Sequence, residues 1–167
     1  MKFASKIRSV YVAPVSAAAL ALSVAGCGGA EAPAEEAVEE TGVPGMSVEN
    51  ARLVLAPVAG NPAAVYFDLA YDGDRGLAIR GASVEGTESA MLHDYGEFEG
   101  KRQMMEAIDI VVQKGDKLKF EPGTRHVMAF GVPETLSAGD SVDVSIRVSG
   151  GKEHTFPAEV RAAGEER

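Results

Sequence analysis

From Met46 onward, apolar residues recur at every second position in short runs broken by glycine, proline and aspartate, the pattern of strands with one buried face and one wet face. Residues 48–55 open the series. Residues 64–71 alternate as a strand up to Asp72-Gly73-Asp74, after which 77–84 are expected to return beside them as a hairpin. Residues 107–112, 117–120, 126–130, 141–148 and 153–160 continue it, bounded by Lys114-Gly115-Asp116, Pro122-Gly123, Ala138-Gly139-Asp140 and Gly150-Gly151. No long stretch carries a helical period. The pattern predicts one all-β domain over 46–161, an antiparallel barrel or sandwich, followed by a short tail, 162–167.

The first 45 residues are of a different kind. Lys2, Lys6 and Arg8 precede an apolar run from Val10 to Val24, the layout of a secretory signal over 1–26; Pro14, Ser16 and Ser23 interrupt it, which argues against a membrane span. The run ends Val24-Ala25-Gly26-Cys27 and resembles a bacterial lipobox, so Cys27, the only cysteine, is expected to carry lipid and anchor the mature chain in a membrane. An unpaired thiol in an oxidising compartment would otherwise be a liability. The segment 27–45 is mostly Gly, Ala, Pro and Glu without aromatic residues, the composition of a disordered acidic tether.

Formal charge is −9, and −12 once the three basic residues of the signal leave. So acidic a chain has no electrostatic case for nucleic acid, and a cation is the better expectation. A nucleophile with its base, a paired-carboxylate pocket and a phosphate loop are all missing from the pattern, so no enzyme is expected.

Chemistry concentrates in one window. Four of the six methionines and two of the three histidines fall between Met91 and Met128. In a strand, Met91 and His93 share a face, as do His126 and Met128, and two such pairs can converge across a barrel end. Thioether and imidazole together favour copper(I) over zinc, magnesium or calcium, and a domain without cysteine keeps its ligands in an oxidising compartment. A methionine on a strand is also a common core filler, and the spacing is what separates the two readings.

That spacing is His93, ten residues, Met104, twenty-one residues, His126, one residue, Met128. It resembles the signature of the periplasmic copper chaperones of the PCuAC type, His-x10-Met-x21-His-x-Met, met here without a gap. Ala64-Val65-Tyr66-Phe67, Leu92-His93 and the turn from Glu121 to Met128 look like the family's early strand and ligand-bearing segments, and the likeness covers about 47–160. The resemblance implies a cupredoxin-like β-barrel binding one copper(I) through His93, Met104, His126 and Met128. It further implies delivery to the copper A subunit of cytochrome c oxidase, often with a Sco-type thiol protein.

Met105 and Met91 are spare sulfurs. Met104 and Met105 would face opposite sides of a strand, and spacing favours Met104. A chaperone must release its metal, so the ligands are expected at an exposed rim, with Arg125 a solvated turn residue and His154 outside the site. Copper sequestration, and a non-metal interaction lipoprotein with packed methionines, are the competing functions. A blue-copper electron carrier would need a thiolate that the domain lacks.

Overall fold

The computed structural model describes residues 42–165, and the signal, Cys27 and most of the tether lie outside them. Ten strands follow one another without a helix among the described residues: β1 (Met46–Val54), β2 (Ala63–Tyr71), β3 (Leu77–Val84), β4 (Ser89–Phe98), β5 (Lys101–Glu106), β6 (Ile110–Val112), β7 (Asp116–Phe120), β8 (His126–Phe130), β9 (Ser141–Val148) and β10 (Glu153–Arg161). They form one sheet in the order β5-β4-β8-β2-β1-β10-β9-β3-β6, with β7 also on β2. Every strand pairing is antiparallel except β1 with β10, which makes the sheet mixed. The sheet curls until β3 lies against β4, closing around one core.

Alternation places that core. Val65, Phe67, Leu69 and Tyr71 of β2 point inward, as do Val142, Val144, Ile146 and Val148 of β9 and His154, Phe156, Ala158 and Val160 of β10. At its centre Phe67 stacks on Phe120 with ring centroids 4.1 Å apart, and Phe156 meets Phe67 at 5.0 Å. Val43, ahead of β1, is also buried, so packing begins within the last residues of the expected tether.

The hairpin expected of residues 64–71 and 77–84 does not form. β1 occupies one side of β2, and β7 and β8 occupy the other in succession, which leaves no free edge for β3. Beyond the turn, where the Tyr71 hydroxyl donates to the Arg75 carbonyl at 2.5 Å, β3 crosses to pair with β9 and β6. The strand expected at 107–112 is likewise shorter, since only Ile110–Val112 pairs, with β3.

The hydrophobic pattern did not show the β4–β5 hairpin as a unit. All six residues of β5 are exposed, so neither face of that strand is marked by apolar residues. Its loop is the two-residue Glu99-Gly100, with φ of 52° and 73°, between the closing pair Phe98 and Lys101. Two consecutive positive φ values match the type I′ turn that suits right-twisted strands. Open space surrounds a Cβ at Gly100, so the backbone alone limits substitution there. Gly100→Ala is expected to cost about 1 kcal/mol and Gly100→Asn less, read from urea unfolding midpoints; equal midpoints for all three chains would contradict this turn.

Candidate metal centre

The site is built on neighbouring strands β5, β4 and β8, with β2 alongside. Directly opposed residues of an antiparallel pair share a face. His93 stands opposite His126, and Met91 opposite Met128. Met104 stands opposite Tyr95, two residues on from His93. The intervening pair, Leu92 and Val127, points into the core. His93, Met104, His126 and Met128 therefore share the outer face, with the His93 and His126 ring centroids 5.7 Å apart. The expected convergence across a barrel end is replaced by side-by-side placement on adjacent strands.

Parity also separates the spare sulfurs. Met105 opposes Asp94 on the other face, and its side chain takes the space beside Gly96 that a Cβ would fill. Met91 lies on the histidine face, 42% exposed, and Met104 is 43% exposed. His154 sits in the core on β10, near Phe156 and away from this patch.

The residues between β7 and β8 place His126. β7 and β8 run along β2 in line, and 121–125 loop out between them, with a bridge from Phe120 to Arg125 closing the excursion. The Thr124 amide donates to the Glu121 carbonyl at 2.9 Å, the Thr124 hydroxyl caps the same carbonyl, and Gly123 takes φ +80°. This turn aims the Thr124 carbonyl at His126 Nδ1, 2.9 Å away. A carbonyl only accepts, so Nδ1 carries the proton and Nε2 keeps its lone pair.

Two arginines tie this turn to the β4–β5 hairpin. Arg102 donates to the Gly123 carbonyl at 2.6 Å, and Arg125 donates from Nε to Asp94 Oδ2 at 2.8 Å. Arg125 is thus an ion-paired brace, where the sequence suggested a solvated turn residue. The expected exposed rim also needs correction, because His126 is only 7% exposed. Tyr66 and Tyr95 flank its ring, each with a centroid 6.2 Å away, and are capped by Arg52 at 5.3 Å and Arg102 at 4.8 Å. Sequence reasoning assigned none of these four to the site; strand parity could have found Tyr95, two residues beyond His93, and Arg102, two residues before Met104.

His93 is prepared differently. Its Nδ1 is buried with no hydrogen-bond partner, a nitrogen that a bound metal would satisfy. Burial holds its pKa below 6.5, the neighbouring His126 lowers it further, and Glu106, directly opposite, acts in the other direction. A depressed pKa keeps the imidazole neutral and able to ligate at neutral pH. Among the described residues, no three His, Cys, Asp or Glu side chains group closely enough to hold an ion. What the patch offers is two imidazoles and thioethers, all neutral, a donor set suited to a soft univalent metal.

A family model described as "Putative lipoprotein LpqE-like" matches residues 46–160. "Putative lipoprotein Lxx21020" of Leifsonia xyli subsp. xyli (strain CTCB07) is 30% identical over 135 residues, covering 80% of each chain. The copper-bound PCuAC domain of PmoF2 superposes with a TM-score of 0.59 at 18% identity, over 74% of this chain and 98% of that one. The copper(I) form of DR1885 from Deinococcus radiodurans gives 0.56 at 22% identity, over 75% and 84%. At such identities these solved structures establish a shared fold, the cupredoxin-like β-architecture of PCuAC domains.

Proposed function

The chain belongs to the LpqE-like lipoprotein family, and from that premise we propose that it is an extracytoplasmic copper(I) carrier, held at a membrane by lipid on Cys27. His93, Met104, His126 and Met128 hold the metal, and Met91 is the spare sulfur on the same face. The observation that carries this reading is the strand register that puts all four on one outer face, with His126 Nε2 left free by the Thr124 carbonyl. The reading is of a carrier and not of an enzyme.

The two sulfur ligands differ from the imidazoles in what they contribute. Thioethers are neutral and soft, so they bind copper(I) without drawing in hard cations, and exchange onto an acceptor's ligands needs no change of protonation at sulfur. Half-exposed Met104 gives an acceptor access to the metal. The acceptor we propose is the copper A subunit of cytochrome c oxidase, with a Sco-type thiol protein as a further partner. Sequestration without transfer is the alternative; it would suit a closed cage better than this open face.

An anaerobic copper(I) titration of the chain from Gly42 onward, which holds all ten strands, tests the proposal against a competing chromophoric chelator. One tight equivalent is expected, and no binding would overturn the reading. Protons compete with metal for imidazole nitrogen, so affinity should be level from pH 8 to 7 and fall below about pH 6. The lowered pKa of His93 works toward extending that plateau into acid, since fewer protons must be displaced there. Affinity unchanged down to pH 5 would exclude imidazole ligands.

A further inference from the structure

β5 ends the sheet path, and β4 is its only strand partner among the described residues. Its six residues are all exposed, and two large apolar side chains flank it, Phe98 at 57% exposure and Ile108 at 77%. Just past β5 the Ala107 amide donates to the Leu92 carbonyl at 2.8 Å, so odd-numbered residues of this stretch turn their backbone groups toward β4. Arg102, Met104 and Glu106 consequently turn theirs toward the open edge, with their side chains on the histidine face.

From this edge we infer that a second copy of the chain docks on β5, antiparallel and centred on Met104, extending the sheet across a two-fold axis. A two-fold perpendicular to the sheet keeps faces matched only if even residues oppose even residues. Of such registers, the one centred on Met104 sets Arg102 against the partner subunit's Glu106, and Glu106 against the partner subunit's Arg102. A centre on Gln103 sets Arg102 against the partner subunit's Met104, and a centre on Met105 sets Glu106 against it; neither makes a charge pair within β5.

Arg102 already lies over Tyr95 and donates to Gly123, but a guanidinium has five N–H donors and can take a carboxylate as well. The docking itself rests on edge geometry and charge, independent of metal. Where the copper reading also holds, the partner subunit's Met104 stands beside Met104 and brings a further thioether to each site.

Metal-free sedimentation equilibrium tests the surface separately from copper binding. The wild-type chain from Gly42 onward is expected to rise from monomer toward dimer mass with concentration. Arg102→Glu and Glu106→Arg should each weaken the dimer by about tenfold or more, because each sets like charges against each other twice. Mixed in equal amounts, the two variants should recover it. In the mixed dimer the two reversed charges oppose each other, and the unchanged Glu106 of one variant meets the unchanged Arg102 of the other. Recovery also shows that both variants fold. Monomer mass throughout for the wild type, dimers indifferent to either reversal, or a mixture that stays monomeric would each overturn the inference.

Discussion

His126→Ala is expected to weaken copper(I) binding by at least about a hundredfold, since loss of a residue that merely orients a metal ligand costs 10–100-fold and His126 would bind the metal itself. Its ring is the centre of the site: it faces His93 at 5.7 Å and stands between Tyr66 and Tyr95 at 6.2 Å each. Alanine removes both the Nε2 donor and the hydrogen bond to the Thr124 carbonyl. The matched methionine variants sharpen the test. Met128→Leu and Met104→Leu keep volume and lose sulfur, so they should lower affinity with little change in stability. Met105→Leu should leave affinity alone, because Met105 opposes Asp94 on the other face. Competition titrations of the four variants measure this, and equal affinity for wild type and His126→Ala would remove His126 from the metal.

Phe67→Ala should produce the largest loss of stability, about 3–5 kcal/mol, against a total of about 5–15 kcal/mol for a domain of this size. Phe67 is fully buried, stacked on Phe120 at 4.1 Å and close to Phe156 at 5.0 Å. It also sits where β2 passes from pairing with β8 to pairing with β7. A cavity there loosens the strand that aligns Ala64 with Met128 and Val65 with Val127, so copper affinity should fall along with the unfolding midpoint. Urea unfolding measures the loss; a midpoint within error of wild type would mean that the three rings do not form the central packing. Leu118, on the neighbouring β7 and partly exposed, should be far more tolerant.

Most strands were legible because burial is one-sided. β2, β9 and β10 each alternate inward residues, apolar except for His154, with outward ones that are mostly polar or small, and a period of two survives in the sequence whatever the strand's neighbours are. β5 breaks the rule, being an edge with both faces wet, so nothing apolar marks its inner side. The short β6 was overextended because Ala107 and Ile108 continue the apolar run, although Ile108 is 77% exposed.

For the site, the residue types, the intervals of His93, Met104, His126 and Met128, and their strand parity are local properties of the chain, legible before any fold is known. The insertion of β8 between β4 and β2, the crossing of β3 away from β2, and hence the placing of His93 against His126 come from the way the strands pack together. Which of two adjacent methionines faces the histidines is set the same way, because it follows from the register of β5 on β4. The Arg102 and Arg125 braces and the two tyrosines around His126 belong to the same class. They join residues up to 60 positions apart, as Tyr66 and His126 are, and such pairings depend on which strand edges remain free once the core has closed.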